Sequence, residues 1–196
     1  MNLPNKLSLF RIILVPVIAA LYLFADFGEA LHVEAHGEVI SLSMTSLVVL
    51  LLFALASFTD FLDGQIARRC HMITSFGKFI DPIADKLLVN TMFILFAIQG
   101  IVPAVGVLIM IWRDTIVDGL RMNASASGKV VAAGMMGKTK TVLQMFAIIF
   151  LLLNNLPFAL WSLPVADLLF YAAVIVSVLS GIQYFMQLKD IVMESM

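Results

Sequence analysis

The sequence predicts an all-α integral membrane protein with six transmembrane helices. The first observation is composition: 62% of the 196 residues are hydrophobic, whereas only about half of an average soluble domain is apolar. The second is that apolar runs of about 20 residues, long enough to cross a bilayer, occur six times. The third is that the basic residues all fall on one side of the topology that these runs imply.

The six predicted spans fill most of the chain, which we interpret as one membrane-embedded domain over residues 1–196. We expect the first run to be a retained helix and not a cleaved signal peptide, because no small-x-small cleavage motif closes it and five spans follow. The predicted spans are 8–26, 42–67, 82–99, 102–123, 138–155 and 165–187.

The distribution of charge predicts the orientation. The chain contains twelve Lys and Arg residues, and the loops predicted on the outer side, 27–41, 99–102 and 155–164, contain none of them. This pattern predicts a multi-pass protein of the plasma or inner membrane, surrounded by membrane lipids, with both termini in the cytoplasm. A net charge of −1 gives no reason to expect a nucleic-acid partner.

The first outer loop, DFGEALHVEAHGEVIS, is rich in acids. We expect it to be solvated and partly helical, with His32 and His36 on one helix face. A metal site there would require further ligands in the right geometry. The single cysteine, Cys70, excludes an internal disulfide.

Four aspartates stand at the inner ends of the second and third spans. Asp60, Asp63, Gly64 and Ala67 follow the spacing i, i+3, i+4 and i+7, which places them on one face of a helix. Glycine in a helix interior costs about 1 kcal/mol relative to alanine. Gly64 therefore indicates the close approach of another helix or of a ligand.

A second acidic pair, Asp81 and Asp85, lies one helical turn apart, with Gly77 four residues upstream. Pro82 is expected in the first turn of the third span, where proline is tolerated. The eight residues between Arg68 and Gly77 predict a short cytoplasmic hairpin. Two antiparallel helices would then bring both carboxylate pairs together at the inner face.

A carboxylate at the centre of a membrane helix costs about 2.5–3.5 kcal/mol, so this cluster must be neutralised. Oxygen ligands favour Mg²⁺ or Mn²⁺, and bridging carboxylates are typical of two-metal phosphoryl transfer. One alternative is a set of ion pairs with Arg68, Arg69, Lys78 and Lys86. Another is an ion transporter, which the clustering of the acids at one end disfavours.

The residues of this segment carry a family resemblance. D-x-x-D-G-x-x-A-R, followed after eight residues by G-x-x-x-D-x-x-x-D, resembles the signature of the CDP-alcohol phosphatidyltransferase family, whose fold also has six membrane helices. Every fixed position of the signature matches: Asp60, Asp63, Gly64, Ala67, Arg68, Gly77, Asp81 and Asp85.

The resemblance implies a two-metal active site at the cytoplasmic ends of the helices. Asp60, Asp63 and Asp81 would be the main ligands of Mg²⁺ or Mn²⁺. Asp85 would be the general base and would also lie near the second metal ion.

The resemblance also implies a CDP-linked lipid as the donor. Gly64 and Ala67 would leave room for the cytidine nucleotide, and Arg68 would help to hold this region. The residues implied to contact the donor are Asp60, Asp63, Gly64, Ala67, Arg68 and Gly77.

A second polar cluster indicates what kind of acceptor the site could bind. Arg113 and Arg121 stand eight residues apart in the fourth span, and Lys138 and Lys140 begin the fifth. Arginine binds phosphate with two N–H groups and lysine adds a point charge, so these residues predict an acceptor that carries its own phosphate. The alternative is that they only follow the positive-inside rule and snorkel.

Further segments, among them NLPNKLSLFR, RDTIVDGLR, GKTKT and SGIQYF, resemble the bacterial members of this family that use glycerol 3-phosphate. The resemblance implies transfer of a phosphatidyl group from CDP-diacylglycerol to sn-glycerol 3-phosphate, with release of CMP, by a homodimer.

Ser8 replaces the usual Thr. Asp114 replaces the usual Glu and Asp118 is an additional acid, both expected to pair with the arginines or to temper the pocket. Inositol phosphate, serine or another alcohol thus stays open as the acceptor.

Overall fold

Six long helices and one β-hairpin make up the described part of the chain. The computed structural model describes residues 2–35, 38–69, 74–126 and 134–194. A short 3₁₀ turn, Phe158–Trp161, lies between the last two helices. The elements in chain order are α1 Leu3–Phe24, β1 Glu29–Ala35, β2 Glu38–Ser43, α2 Met44–Arg69, α3 Ser75–Ile98, α4 Ala104–Ala126, α5 Met135–Leu152 and α6 Val165–Glu194.

Each predicted span corresponds to one helix, so the prediction of a helical membrane protein is confirmed. Four segments of the described helices are long and apolar enough to cross a bilayer: Leu3–Phe24, Met44–Ile66, Met135–Leu152 and Val165–Lys189. The other two helices, α3 and α4, carry several ionisable residues each. The count of six membrane crossings therefore stays a prediction.

Helix α3 begins seven residues earlier than its predicted span. Thr74 is its N-cap, and the Thr74 hydroxyl accepts a hydrogen bond from the backbone N–H of Gly77 at 3.0 Å. This cap satisfies one of the backbone donors that a helix N-terminus leaves open. Pro82 consequently lies inside α3, and its expected place in the first turn was wrong.

The first outer loop is a β-hairpin, and its prediction as partly helical was wrong. Strands β1 and β2 pair antiparallel, with Leu31 opposite Leu42 and His32 opposite Ser41. Apolar and polar residues alternate along LHVE and ISLS, which is the period of a strand and not of a helix. His32 forms an ion pair with Glu29, and His36 lies outside the described residues.

Polar contacts fasten this hairpin to the helices. The backbone N–H of Met44 donates to the carbonyl of Gly28 at 2.9 Å, and the N–H of Phe27 donates to the Thr45 hydroxyl at 3.1 Å. The Asn154 side chain, in the connection between α5 and α6, donates to the carbonyl of Ser41 at 2.9 Å. The first and third predicted outer loops thus lie at the same end of the bundle.

The helices pack in two groups. Helix α1 packs against α2 and α3, and α6 packs against α4 and α5. The aromatic rings of Phe93 on α3 and Phe170 on α6 join the groups, with their centroids 5.8 Å apart. Close packing of this kind is what holds membrane helices together, because lipid is as apolar as the side chains.

Gly106 on α4 is a point of close approach to α6. A Cβ atom at Gly106 would lie 2.8 Å from Cζ of the buried Phe170 ring and 3.3 Å from Cγ2 of Val174. A Cβ atom at Gly119 on the same helix would meet nothing within 4 Å. These two glycines form a matched pair for testing the α4–α6 contact.

We expect Gly106→Val to lower the thermal unfolding temperature of the detergent-solubilised protein, because overpacking a tight contact typically costs about 1–3 kcal/mol. Gly119→Val is the control and should unfold within a few degrees of the wild type. Equal unfolding temperatures for the two variants would contradict the α4–α6 contact described above.

Candidate active site

The two halves of the acidic segment lie on neighbouring helices. Asp60 and Gly64 belong to the last turns of α2, which ends at Arg69, and Asp85 belongs to α3, which begins at Ser75 and contacts α2. This places the two acidic pairs on either side of one short connection, as the spacing predicts. The side chains of Asp63, Ala67, Arg68 and Asp81 lie outside the described residues.

Asp60 is paired with an arginine that the sequence reasoning did not assign to the site. Arg11 Nη1 on α1 donates to Asp60 Oδ1 in a close ion pair. The Arg11 side chain is 0% exposed, whereas that of Asp60 is 39% exposed. The Asp60 side chain is therefore partly exposed, whereas the Arg11 side chain that contacts it is fully buried.

Arg11 belongs to a buried polar stripe on α1, together with Asn5 and Ser8. These residues are spaced by three, which places them along one side of the helix. The Asn5 carboxamide oxygen accepts a hydrogen bond from the Thr74 hydroxyl at 3.1 Å, and Thr74 caps α3. Helix α1 thus contacts the helices that carry both acidic pairs. Three polar residues at helical spacing in an apolar run were the signal that could have indicated this.

Asp85 lies on a helix that contacts several charged helices. Helix α3 contacts α1, which carries Arg11, α2, which carries Asp60, and α5, which carries Lys140. Lys86 forms an ion pair with Asp118 on α4. The side chains of Arg68, Arg69 and Lys78, the other cations of the ion-pair alternative, lie outside the described residues. Asp85 is half-buried.

A second centre joins α4, α5 and α6, and we call Arg113, Asp114 and Lys140 the Asp114 cluster. Lys140 Nζ lies 2.6 Å from both oxygens of Asp114, and Arg113 Nη1 lies 2.8 Å from Asp114 Oδ1. The side chains of Asp114 and Lys140 are each 7% exposed. The expectation that Asp114 pairs with an arginine is confirmed, whereas Asp118 pairs with Lys86.

Helix α6 fixes the Arg113 side chain in this cluster. Arg113 Nη2 donates to the Ser180 hydroxyl, and the guanidinium carbon lies 5.5 Å from the centre of the Tyr184 ring. A Cβ atom at Gly181 would lie 2.9 Å from Arg113 Cγ, so a larger residue at this position would collide with the Arg113 side chain. The Tyr184 hydroxyl in turn accepts from the backbone N–H of Gly134 at 2.7 Å.

The structure separates the four predicted acceptor cations into two pairs. Arg113 and Lys140 share Asp114, whereas Arg121 and Lys138 are exposed. Lys138 and Lys140 differ by two positions, which is about 200° around a helix, so they face different surroundings. Arg121 lies eight residues beyond Arg113, about two turns further toward the end of α4.

The described donors fit a hard divalent ion. Asp60 and Asp85 offer carboxylate oxygens, the ligands that Mg²⁺ and Mn²⁺ prefer, and the Asp60 side chain is 39% exposed. Among the described side chains no three His, Cys, Asp or Glu residues form a cluster. Asp63 and Asp81, which would complete the predicted set, are not among those side chains.

Comparison with known proteins adds independent evidence. A family model for CDP-alcohol phosphatidyltransferases matches residues 1–182, and this family generally uses divalent metal ions. Three curated bacterial relatives each carry the name CDP-diacylglycerol–glycerol-3-phosphate 3-phosphatidyltransferase. The Bacillus subtilis protein is 44% identical over 185 residues, covering 94% of this chain and 93% of the relative. The Rickettsia typhi protein is 35% identical over 189 residues (96% and 97%). The Salmonella choleraesuis protein is 33% identical over 190 residues (93% and 92%).

The Asp114 cluster generates a prediction about stability. Asp114→Asn leaves the buried Lys140 ammonium without its carboxylate, and breaking a buried pair in this way costs about 3–5 kcal/mol. We expect a clear loss of thermal stability in detergent for Asp114→Asn, and recovery of most of it in the double variant Asp114→Asn/Lys140→Met. Asp167→Asn, at an exposed acid on α6, is the control. A double variant no more stable than the single one would contradict the pairing.

Proposed function

We infer the reaction of this chain from one premise: it belongs to the CDP-alcohol phosphatidyltransferase family. The chain transfers the phosphatidyl group of CDP-diacylglycerol to sn-glycerol 3-phosphate, giving phosphatidylglycerophosphate and CMP. The observation that carries this conclusion is the 44% identity over 94% of the chain to a relative named for that activity. The acidic pairs on α2 and α3 supply the site at which it takes place.

Asp85 is the general base in this proposal. Its carboxylate takes the proton from the acceptor hydroxyl, whose oxygen forms a bond to the β-phosphorus of the donor while the bond from that phosphorus to CMP breaks. Proton transfer to a positioned carboxylate contributes about 10²–10⁴-fold to such a rate. The position of Asp85 on α3, which contacts α2 with Asp60 and α5 with Lys140, supports this role.

We assign Asp60, Asp63, Asp81 and Asp85 to two divalent ions, Mg²⁺ or Mn²⁺. When bound, such ions neutralise the pyrophosphate and the departing CMP. Asp60 presents an accessible carboxylate for this purpose, and the oxygen-only set of ligands suits hard cations.

The donor is proposed to lie between the ends of α2 and α3. Gly64 on α2 and Gly77 in the capped first turn of α3 have no side chain, which would leave room for a nucleotide. The residues proposed to contact the CDP-lipid are Asp60, Asp63, Gly64, Ala67, Arg68 and Gly77.

The acceptor phosphate is proposed to bind at the Asp114 cluster. The Arg113 guanidinium has five N–H donors and the Lys140 ammonium three, more than Asp114 and Ser180 accept from them. Helix α5, which carries Lys140, contacts α3, which carries Asp85, so a phosphate bound at the cluster would bring the acceptor hydroxyl toward the proposed base. Arg121 and Lys138, which are exposed, are proposed to attract the acceptor from the cytoplasm.

The proposed setting is a multi-pass protein of the plasma or inner membrane, one domain over residues 1–196 that forms a homodimer. Both termini and the active site are proposed to face the cytoplasm. The contact between Asn154 and Ser41, which places two lysine-free loops at one end, supports the predicted orientation.

Purified protein in mixed micelles should release CMP from CDP-diacylglycerol only with a phosphate-bearing acceptor and a divalent ion. We expect sn-glycerol 3-phosphate to be the best acceptor in a panel that includes inositol phosphate, serine and glycerol, with products identified by mass. Mg²⁺ and Mn²⁺ are supplied separately, and a chelator is expected to abolish release. Faster turnover with serine or inositol phosphate would replace the proposed acceptor, and no release with any alcohol would overturn the reaction.

Asp85→Asn removes the proposed base and keeps the size of the side chain. We expect kcat to fall about 10²–10⁴-fold because the acceptor hydroxyl then loses its proton only to water. Asp167→Asn, an exposed acid far along the chain on α6, is the matched control and should retain full turnover. Wild-type kcat in Asp85→Asn would remove Asp85 from the role of base.

A further inference from the structure

The ion pair between α1 and α2 contains a residue to which the reaction described above assigns no part. We propose that Arg11 is a positioning residue for Asp60, whose guanidinium holds one carboxylate oxygen so that the other is presented to the divalent ion. The proposal rests on the proposed function, because it takes Asp60 as a metal ligand. The geometry behind it is the contact from Arg11 Nη1 to Asp60 Oδ1.

The two partners of this ion pair are buried to very different extents, and the stability of the pair alone does not require this. Asp60 is 39% exposed and water could satisfy it, whereas Arg11 is 0% exposed and loses its hydration entirely. Buried charge pairs often contribute nothing to stability relative to apolar residues of the same volume. We therefore explain the full burial of the Arg11 guanidinium beside the accessible Asp60 carboxylate by a role of Arg11 in orienting that carboxylate.

Arg11 lies on a helix that is joined to α3. It lies in the third turn of α1, whose N-terminus is capped by Asn2 through a 3.3 Å hydrogen bond from the Asn5 backbone. Asn5 also accepts from Thr74 at the start of α3. Arg11 therefore reaches Asp60 from a helix that is anchored against the helix carrying Asp85.

Two effects of the guanidinium on a divalent ion oppose one another. Its positive charge repels the ion, whereas its hold on Oδ1 fixes the carboxylate in a binding orientation. The proposal states that orientation dominates, so the loss of Arg11 should weaken metal binding. If charge dominated, the same loss would tighten it, and the sign of the change separates the two.

The test compares wild type, Arg11→Lys and Arg11→Met in detergent. Lysine keeps the charge but has no planar fork, and methionine keeps the stem but loses both the charge and the donors. Lys6→Met, which removes an exposed cation from the same helix, is the control. Mn²⁺ is titrated without substrate while thermal unfolding is followed, and the midpoint of the metal-induced stabilisation is measured. CMP release is then measured against Mn²⁺ at saturating donor and acceptor.

We expect the Mn²⁺ midpoint to rise about 10–100-fold in Arg11→Met, the usual effect of removing a group that orients a metal ligand, with a smaller rise in Arg11→Lys and none in Lys6→Met. An unchanged or lower midpoint in Arg11→Met overturns the proposal. If Arg11→Met does not fold, Arg11→Lys decides: a raised midpoint supports the proposal and an unchanged midpoint overturns it. Failure of the wild type to release CMP would instead overturn the proposed function.

Discussion

The structure depends on one constraint: a charge placed inside an apolar helix bundle must find a partner. The pairs that satisfy it link different helices, Arg11 to Asp60 between α1 and α2, Lys86 to Asp118 between α3 and α4, and Lys140 to Asp114 between α4 and α5. Arg113 adds a hydrogen bond from α4 to Ser180 on α6. Each of the six helices takes part in at least one of these contacts, beside a large cluster of buried apolar side chains.

The same constraint shapes the site. Each paired charge is held by a partner on another helix, so its position is defined before any ligand arrives, and a site fixed in advance avoids the cost of ordering side chains during binding. Asp85 lies on α3, which contacts the helices of Arg11, Asp60 and Lys140. The base proposed at Asp85 would thus stand between the proposed donor site and the proposed acceptor site.

The departures from the family pattern acquire a physical meaning in this context. Asp114, shorter by one methylene than the usual Glu, still contacts both Arg113 and Lys140, so the acid organises the two cations. Asp118 pairs with Lys86, the residue next to Asp85, and thereby joins this part of α3 to α4. Neither acid contradicts an acceptor that carries a phosphate.

Sequence alone determined the six helices, their order and the placement of the two acidic pairs on consecutive helices, because hydrophobic length and helical spacing are local properties. It misjudged the hairpin, although the alternation in residues 31–34 and 40–43 was present, since the acidic composition suggested a solvated loop. Only the tertiary structure decided that Arg11 meets Asp60, 49 residues away, and that Asp114 binds Lys140, 26 residues away. Spacing fixes the face of a helix on which a charge lies, whereas its partner depends on how the faces of separate helices meet.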